Sequence, residues 1–326
     1  MSTHPYDRLN PDLIIDAVEA MGYRSDARLL ALNSYENRVY QVGIEDGTPL
    51  IAKFYRPDRW TEEQIQEEHR FSLELQDAEI SVVAPMVNEQ GQTLHTYEGF
   101  QFALFKRRGG YPPELDNLDN LLVLGRTLGR IHGVGRAGKF EVRQSITVQR
   151  MLTESRELLL DGFIPKSLIP AYESLTADLE EIVKSVYCEV KPEDQIRIHG
   201  DCHVGNILWR DETAHFVDFD DCVTAPAIQD LWMFLNGERH DRQLQLSELV
   251  EGYSEFCDFD PRQIRWIESL RTMRLIHYAA WLAKRWEDPA FPRSFTWFNT
   301  ERYWADHILE LREQMSALQE EPLHLL

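Results

Sequence analysis

Hydrophobic positions change period along this chain. Over 11–21 they recur at helical spacing behind Asn10 and Pro11, a cap and first turn, and Gly22 stops the run. Near 32–42 a polar turn, Asn33-Ser34-Tyr35-Glu36-Asn37, separates two runs that read as strands. Glu45-Asp46-Gly47-Thr48 is a hairpin signal before a third strand, Leu50-Ile51-Ala52-Lys53-Phe54-Tyr55. That strand carries Lys53 inside an apolar run. Thr61 begins a helix reaching about Leu75, with Phe71 and Leu75 on one face; Glu68, three residues before Phe71, shares that face. A further strand covers 100–105.

Glycine, proline and charge then break the pattern over 106–113, which predicts a lobe boundary. Residues 1–105 are expected to form one lobe and 106–326 a second. The second reads mostly as helix: Leu121, Leu124, Leu128 and Ile131 lie at helical spacing, and a long helix is predicted over 171–186. Two short strands, 196–198 and 215–218, interrupt the helices. From Asp230 on the chain is helical and rich in Trp and Tyr, without repeats or low-complexity segments. The fold class expected is α+β, a small antiparallel-sheet lobe followed by a larger, mainly helical one.

Composition narrows the setting. A chain of 326 residues can bury a full core, and 43% hydrophobic residues is an ordinary globular value. Lys+Arg 34 against Asp+Glu 55 leaves a net charge of −21, which argues against nucleic-acid and anionic-membrane surfaces and favours a basic protein partner. The four cysteines form no C-x-x-C pair, so neither a zinc knuckle nor a disulfide framework is indicated. No apolar run approaches the roughly 18 residues of a membrane span, and the N-terminus lacks a signal-peptide core. A monomer in a cytoplasmic, reducing setting is expected.

The chemistry lies in His199-Gly200-Asp201-Cys202-His203-Val204-Gly205-Asn206 and, twelve residues on, Val217-Asp218-Phe219-Asp220. Phosphoryl transfer from ATP needs a carboxylate to orient a hydroxyl nucleophile, then an amide oxygen and a second carboxylate to hold magnesium on the phosphates. Asp201, Asn206 and Asp218 supply those groups in that order. Lys53, held on a strand, can grip the α- and β-phosphates, steadied by Glu68 or, as the alternate, Glu67. The Ser34 turn stands where a phosphate-covering loop belongs, although no G-x-G-x-x-G or Walker A motif is present. Asp220 and Asp221 read either as helpers or as a solvated acidic turn. Arg271, Arg274, Tyr278 and Trp281 recur at helical spacing, with core packing favoured over a substrate wall. Cys202 reads as a small loop residue in preference to a redox switch. His199, Asp201 and His203 also spell H-x-D-x-H, a metallohydrolase-like cluster without further ligands at short spacing. A nucleotide-binding pseudokinase is a third reading, against which every catalytic position is filled.

These residues resemble the aminoglycoside phosphotransferase and choline kinase superfamily, of protein-kinase-like bilobal fold, through Lys53, Glu68, His199 to Asn206, Asp218 and Asp230. The phrases ALNSYENRVYQ, KFYRPDRW and AWLAKRWEDPAFP resemble a branch of bacterial stress-response Ser/Thr protein kinases. That resemblance implies cytoplasmic, autophosphorylating kinases with Ser34 at the ATP site, Asp201 as proton acceptor, and Asn206 with Asp218 on magnesium. One departure stands out. Only eleven residues separate Asp218 from Asp230, too few for an activation loop, so a small-molecule alcohol or amino-alcohol acceptor stays open beside a protein one.

Overall fold

The computed structural model describes residues 5–326. Helix α1 (Pro11–Glu19) precedes strands β1 (Ser25–Leu32), β2 (Arg38–Ile44) and β3 (Leu50–Phe54); helix α2 (Glu62–Asp77) follows, then β4 (His95–Tyr97) and β5 (Phe100–Lys106). The five strands form one antiparallel sheet in the order β1-β2-β3-β5-β4. Both helix starts follow local chemistry. The Asn10 side chain accepts from the Leu13 amide, and Thr61 with Gln64 forms a reciprocal capping box. β3 is the middle strand, with Lys53 opposite Val39 on one side and Ala103 on the other. Its backbone is therefore hydrogen-bonded along both edges, which makes it a rigid mount for the lysine. Ile14, Val18, Val42, Phe54, Phe102 and Leu104 form the core between α1 and the sheet.

The large lobe opens with α3 (Leu118–Arg136), a π-helical turn at Gln149–Thr153, α4 (Glu154–Leu160) and α5 (Ile169–Tyr187). Strands β6 (Gln195–Ile198), β7 (Ile207–Arg210), β8 (Thr213–Phe216) and β9 (Val223–Pro226) come next. They are followed by α6 (Ile228–Trp232), α7 (Arg239–Ser254), α8 (Ile267–Lys284), α9 (Ala290–Ser294) and α10 (Glu301–Ala317). Leu121, Leu124, Leu128 and Ile131 are all fully buried, as their spacing predicts. α3 and α7 cross at backbone distance because glycine stands on both sides. A Cβ on Gly125 would come within 2.1 Å of the Leu249 carbonyl oxygen, and one on Gly252 within 2.1 Å of that of Leu122. The fold is α+β and bilobal, and no helix among the described residues is long and apolar enough to cross a membrane.

Two details differ from the periodicity. β6 pairs with β9 and β7 with β8, so the segment holds four short strands in two two-stranded sheets where the pattern shows two strands. All four strands are four residues long, and at that length the sequence pattern marks β6 and β8 but not β7 and β9. The strand read over 215–218 also ends early. β8 stops at Phe216, and Asp218 turns out of it in the left-handed region at φ 61°.

Candidate active site

The loop from His199 to Asn206 is held from beneath. Asp230, fully buried at the start of α6, accepts from the backbone N–H of His199 (2.9 Å) and of Gly200 (2.8 Å), and His132 of α3 reaches it at 3.0 Å. Gly200 has φ 85°, and a Cβ there would lie 2.4 Å from the Asp221 carbonyl oxygen, so both conformation and space require glycine. His199 is buried, with Nε2 at 2.9 Å from the Val217 carbonyl oxygen. It therefore ties the loop to the Asp218 turn and stands apart from the H-x-D-x-H arrangement.

Asp201 projects from this braced loop. Arg274 of α8 donates to its Oδ1 at 2.7 Å, while His203 Nε2 lies 3.4 Å from Oδ2. Asn206 Nδ2 donates to the Asp201 backbone oxygen at 3.0 Å and lies 3.4 Å from Oδ2. Burial by itself would raise the Asp201 carboxyl, but the His203 hydrogen bond and the Arg274 guanidinium outweigh it and hold the group far below the usual carboxylate range. Asp201 is thus an anion with two fixed oxygens. The Asn206 donor end is engaged by Asp201, so its Oδ1 remains for a cation. Asp218, half-exposed in its left-handed turn, pairs with Lys53, and the backbone N–H of Val217 beside it donates to the Asn206 carbonyl oxygen at 3.0 Å, which joins the two segments. One amide oxygen and one carboxylate suit magnesium, which takes few protein ligands and completes its shell with phosphate and water.

Lys53 faces three carboxylates. Its ammonium lies 2.8 Å from Asp218, 3.2 Å from Asp220 and 3.6 Å from Glu68. Burial would lower its pKa, but Asp218, Asp220 and Glu68 outweigh burial and hold it well above the ordinary lysine value. For Glu68 the balance reverses: burial dominates and lifts the carboxyl to about 7 despite Lys53. Glu67, its neighbour, has a different role. Its carboxylate accepts the backbone N–H groups of Glu141, Val142 and Arg143 at 2.7, 3.0 and 2.8 Å and so binds α2 to the large lobe. The choice between the two glutamates for Lys53 therefore falls on Glu68.

The acidic turn after Asp218 is not a solvated one. Asp220 is buried and bonded to Arg59, which also reaches Asp221 at 2.6 Å. Arg143 closes the cluster from the other side, donating to the backbone oxygens of Cys222 (2.9 Å) and Asp220 (2.5 Å) with its guanidinium 4.4 Å from the Trp60 ring. Arg59 lies inside the KFYRPDRW phrase, yet no pattern in the sequence assigns it these partners.

Ser34 sits half-buried in the turn between β1 and β2, and among the described residues it bonds none of Lys53, Glu68, Asp201, Asn206 or Asp218. What anchors this turn is Glu36, two residues on. Its carboxylate accepts from Trp281 Nε1 and from Arg285 Nε (2.9 Å), and lies 3.7 Å from Arg56, which pairs with Asp288 at 2.9 Å. Tyr35 packs on Phe295 with ring centroids 4.7 Å apart. The turn of the small lobe is thereby latched to the C-terminal end of α8 and to α9.

The core-packing reading of the α8 stripe holds for Trp281, which packs on Phe291 and Phe295 against the core, and fails for Arg271, Arg274 and Tyr278. Arg274 bonds Asp201, Trp281 bonds Glu36, and Arg271, Arg274 and Tyr278 line an open cleft, because the face of α8 carrying them looks along the catalytic loop and away from the core. Cys202 is fully buried, and burial, with Asp230 and Asp201 nearby, pushes its thiol well above the usual value. A thiol so placed is a poor nucleophile, and the site offers no basis for a redox switch at that position.

Comparison with known proteins shows the family. Residues 28–267 match the phosphotransferase enzyme family. The chain is 46% identical over 326 residues (99% of this chain, 98% of the relative) to stress response kinase A of Escherichia coli O157:H7. It is 44% identical over 321 residues (98% and 97%) to the serine/threonine protein kinase RdoA of Salmonella typhimurium strain LT2. Among solved structures, amicoumacin kinase in complex with AMP-PNP, Ca2+ and its ligand superposes with a TM-score of 0.72 at 19% identity, covering 94% of this chain and 93% of that one. At that identity the likeness is one of fold.

Proposed function

The chain belongs to the phosphotransferase enzyme family, and from that premise we propose that it transfers the γ-phosphoryl group of ATP, with magnesium, to serine or threonine hydroxyls of proteins, itself included. The observation that carries this reading is the placement of Glu68 and Asp218 within 3.6 Å of the Lys53 ammonium, together with a braced, ionised Asp201 beside Asn206. Lys53 is positioned for the phosphates, with Glu68 limiting its reach. Asn206 Oδ1 and the Asp218 carboxylate would hold magnesium, which when bound neutralises charge on the phosphates. Asp201 accepts the proton of the acceptor hydroxyl. The hydroxyl oxygen forms a bond to the γ-phosphorus while the bond from that phosphorus to the bridging oxygen breaks, and ADP leaves with the electron pair. Catalysis is positioning and charge neutralisation by groups already fixed in the fold.

The protein acceptor and a place in the stress response rest on the relatives' names, and a cytoplasmic location on the absence of basic, membrane-directed or disulfide-forming features in the sequence. A second reading, a kinase for a small alcohol, is favoured by the eleven residues between Asp218 and Asp230, which leave no peptide platform of the usual kind, and by the small-molecule ligand of the amicoumacin kinase. Labelled γ-phosphate separates the two. Incorporation into a mixed protein substrate and into the enzyme, abolished by Asp201→Asn, supports the protein kinase. Turnover of a metabolite panel with no protein labelling would replace it with the second reading.

A further inference from the structure

A cleft of about 810 Å³ lies between the turn after α6, α8 and α10, and Arg274 joins it to the catalytic loop, lining the cleft wall while bonding Asp201. The wall carries two more arginines, Arg271 one turn earlier on α8 and Arg242 on α7. Neither guanidinium donates a hydrogen bond to any described residue. Each instead lies near one shared carboxylate, Glu268, at 3.7 Å from Arg271 and 3.6 Å from Arg242, beyond hydrogen-bonding distance. Glu268 is itself engaged, accepting from Gln314 at 2.9 Å. The Arg271 guanidinium rests 5.3 Å over the Trp232 ring, and burial lowers its pKa against the partial support of Glu268. The other acidic group of the cleft, Glu310, stands half-exposed and lies 3.6 Å from His307. With Arg274 neutralised by Asp201, the inner wall holds two donor-rich forks against one carboxylate.

Partly buried guanidinium groups without acceptors are costly, and their planar donor pairs match a carboxylate or phosphate. Residues three apart on a helix have Cβ atoms roughly 5–6 Å apart, so an anion on Arg271 would lie about one turn from a hydroxyl at Asp201. Tyr278 and Trp297, both exposed on this cleft, offer apolar contact beside it. We propose that this cleft is the acceptor site and that it selects a hydroxyl flanked by an anionic group, read by Arg271 and Arg242. The inference rests on the kinase reading above and runs against the net charge of −21, which by itself favours basic partners. Whole-surface charge acts at long range and is screened by salt, whereas selection within a cleft follows the groups that line it.

The test uses the full-length enzyme with magnesium and ATP and three acceptors: a seryl peptide flanked by glutamates, the same peptide flanked by lysines, and glycerate. The acidic peptide or glycerate is expected to be used at least about tenfold better in kcat/KM than the lysine peptide, a gap that one charge-assisted contact can supply. Whichever of the two anionic acceptors is used better identifies the source of the anion. Arg271→Gln and Arg242→Gln, made separately so that one misfolded variant does not decide the matter, should each raise KM for the anionic acceptor about tenfold with kcat little changed. Arg271→Lys should recover part of that loss, and Arg271→Glu should turn the preference toward lysine. A wild-type preference for the lysine peptide, or an unchanged KM in both glutamine variants, overturns the inference while leaving the kinase standing. If the wild-type enzyme transfers phosphate to no acceptor and to no water molecule, the kinase reading has failed and takes this inference with it.

Discussion

The two ends of the catalytic cleft are built with opposite charge. On the nucleotide side, Lys53 and Arg59 face Glu68, Asp218, Asp220 and Asp221, so carboxylates outnumber the cations they touch. On the acceptor side, Arg242, Arg271 and Arg274 outnumber the carboxylates they meet, Glu268 and Asp201, while Glu310 stands beside His307. Apart from Glu68, 3.6 Å from Lys53, the first arrangement is closely bonded; in the second only Arg274 is, with separations of 3.6 and 3.7 Å at Arg242 and Arg271. The difference suits the two ligands. A divalent cation arriving with its nucleotide needs spare carboxylate, whereas an acceptor must find donors that are not already committed. Net charge averages over both ends and predicts neither.

The largest effect should come from the carboxylates themselves. Asp201→Asn is expected to lower kcat by about 10²–10⁴-fold, the usual worth of a positioned base, while thermal unfolding stays close to that of the wild type. Asp218→Asn keeps a residue that tolerates the left-handed φ of 61° and should abolish magnesium-dependent transfer. Full transfer by a folded Asp218→Asn protein would remove Asp218 from the metal site.

Stability should separate the two ends next. Lys53→Met leaves Glu68 and Asp220 buried without their ammonium and is expected to cost about 3–5 kcal/mol in urea unfolding. Arg271→Gln removes only a long, shared pairing and should cost no more than about 1 kcal/mol. Equal losses would show that the acceptor arginines are structural. Glu36→Ala cuts the latch between lobes, leaving Arg285 and Trp281 without their acceptor. A loss of about 3 kcal/mol is expected, together with faster hydrogen exchange over 34–37. Unchanged exchange there would mean that the turn is held by other contacts.

The last comparison is a pH slope. Burial raises the Glu68 carboxyl from 4.5 to about 7, so its contribution to stability is full below pH 4.5 and is lost as pH rises through 7. Asp201, held below its ordinary 3.8, contributes in the opposite window: its share is present above that value and is lost as pH falls. Glu68→Gln should therefore flatten the decline in unfolding free energy between pH 4.5 and 7 without altering the acid limb. A decline that persists in Glu68→Gln would assign it to another group.

The elements and several site residues were legible along the chain for particular reasons. α2 announces itself through Thr61 and Gln64, α1 through Asn10 and Pro11, and β3 through a hairpin turn and an apolar run around Lys53. Helices of sixteen residues or more, such as α2, α3 and α5, repeat their pattern often enough to be read, while among strands of three or four residues β6 and β8 are legible and β4, β7 and β9 are not. Arg59, Arg143 and Glu36 were illegible for another reason. Each is an ordinary charged residue in its own segment, and each has a partner that lies far along the chain, 162, 77 and 249 positions away respectively.

What the sequence by itself determined is the reaction: Asp201 and Asn206 share one loop, Asp218 follows twelve residues later, and groups that near in the chain have few ways to be apart in space. Tertiary structure alone decided how charge is distributed around them. It turned Glu68 and not Glu67 toward Lys53, buried Asp220 against Arg59, and brought Arg274 across 73 positions onto Asp201. Coulomb attraction and desolvation depend on distance and burial, which packing sets, and separation along the chain carries neither.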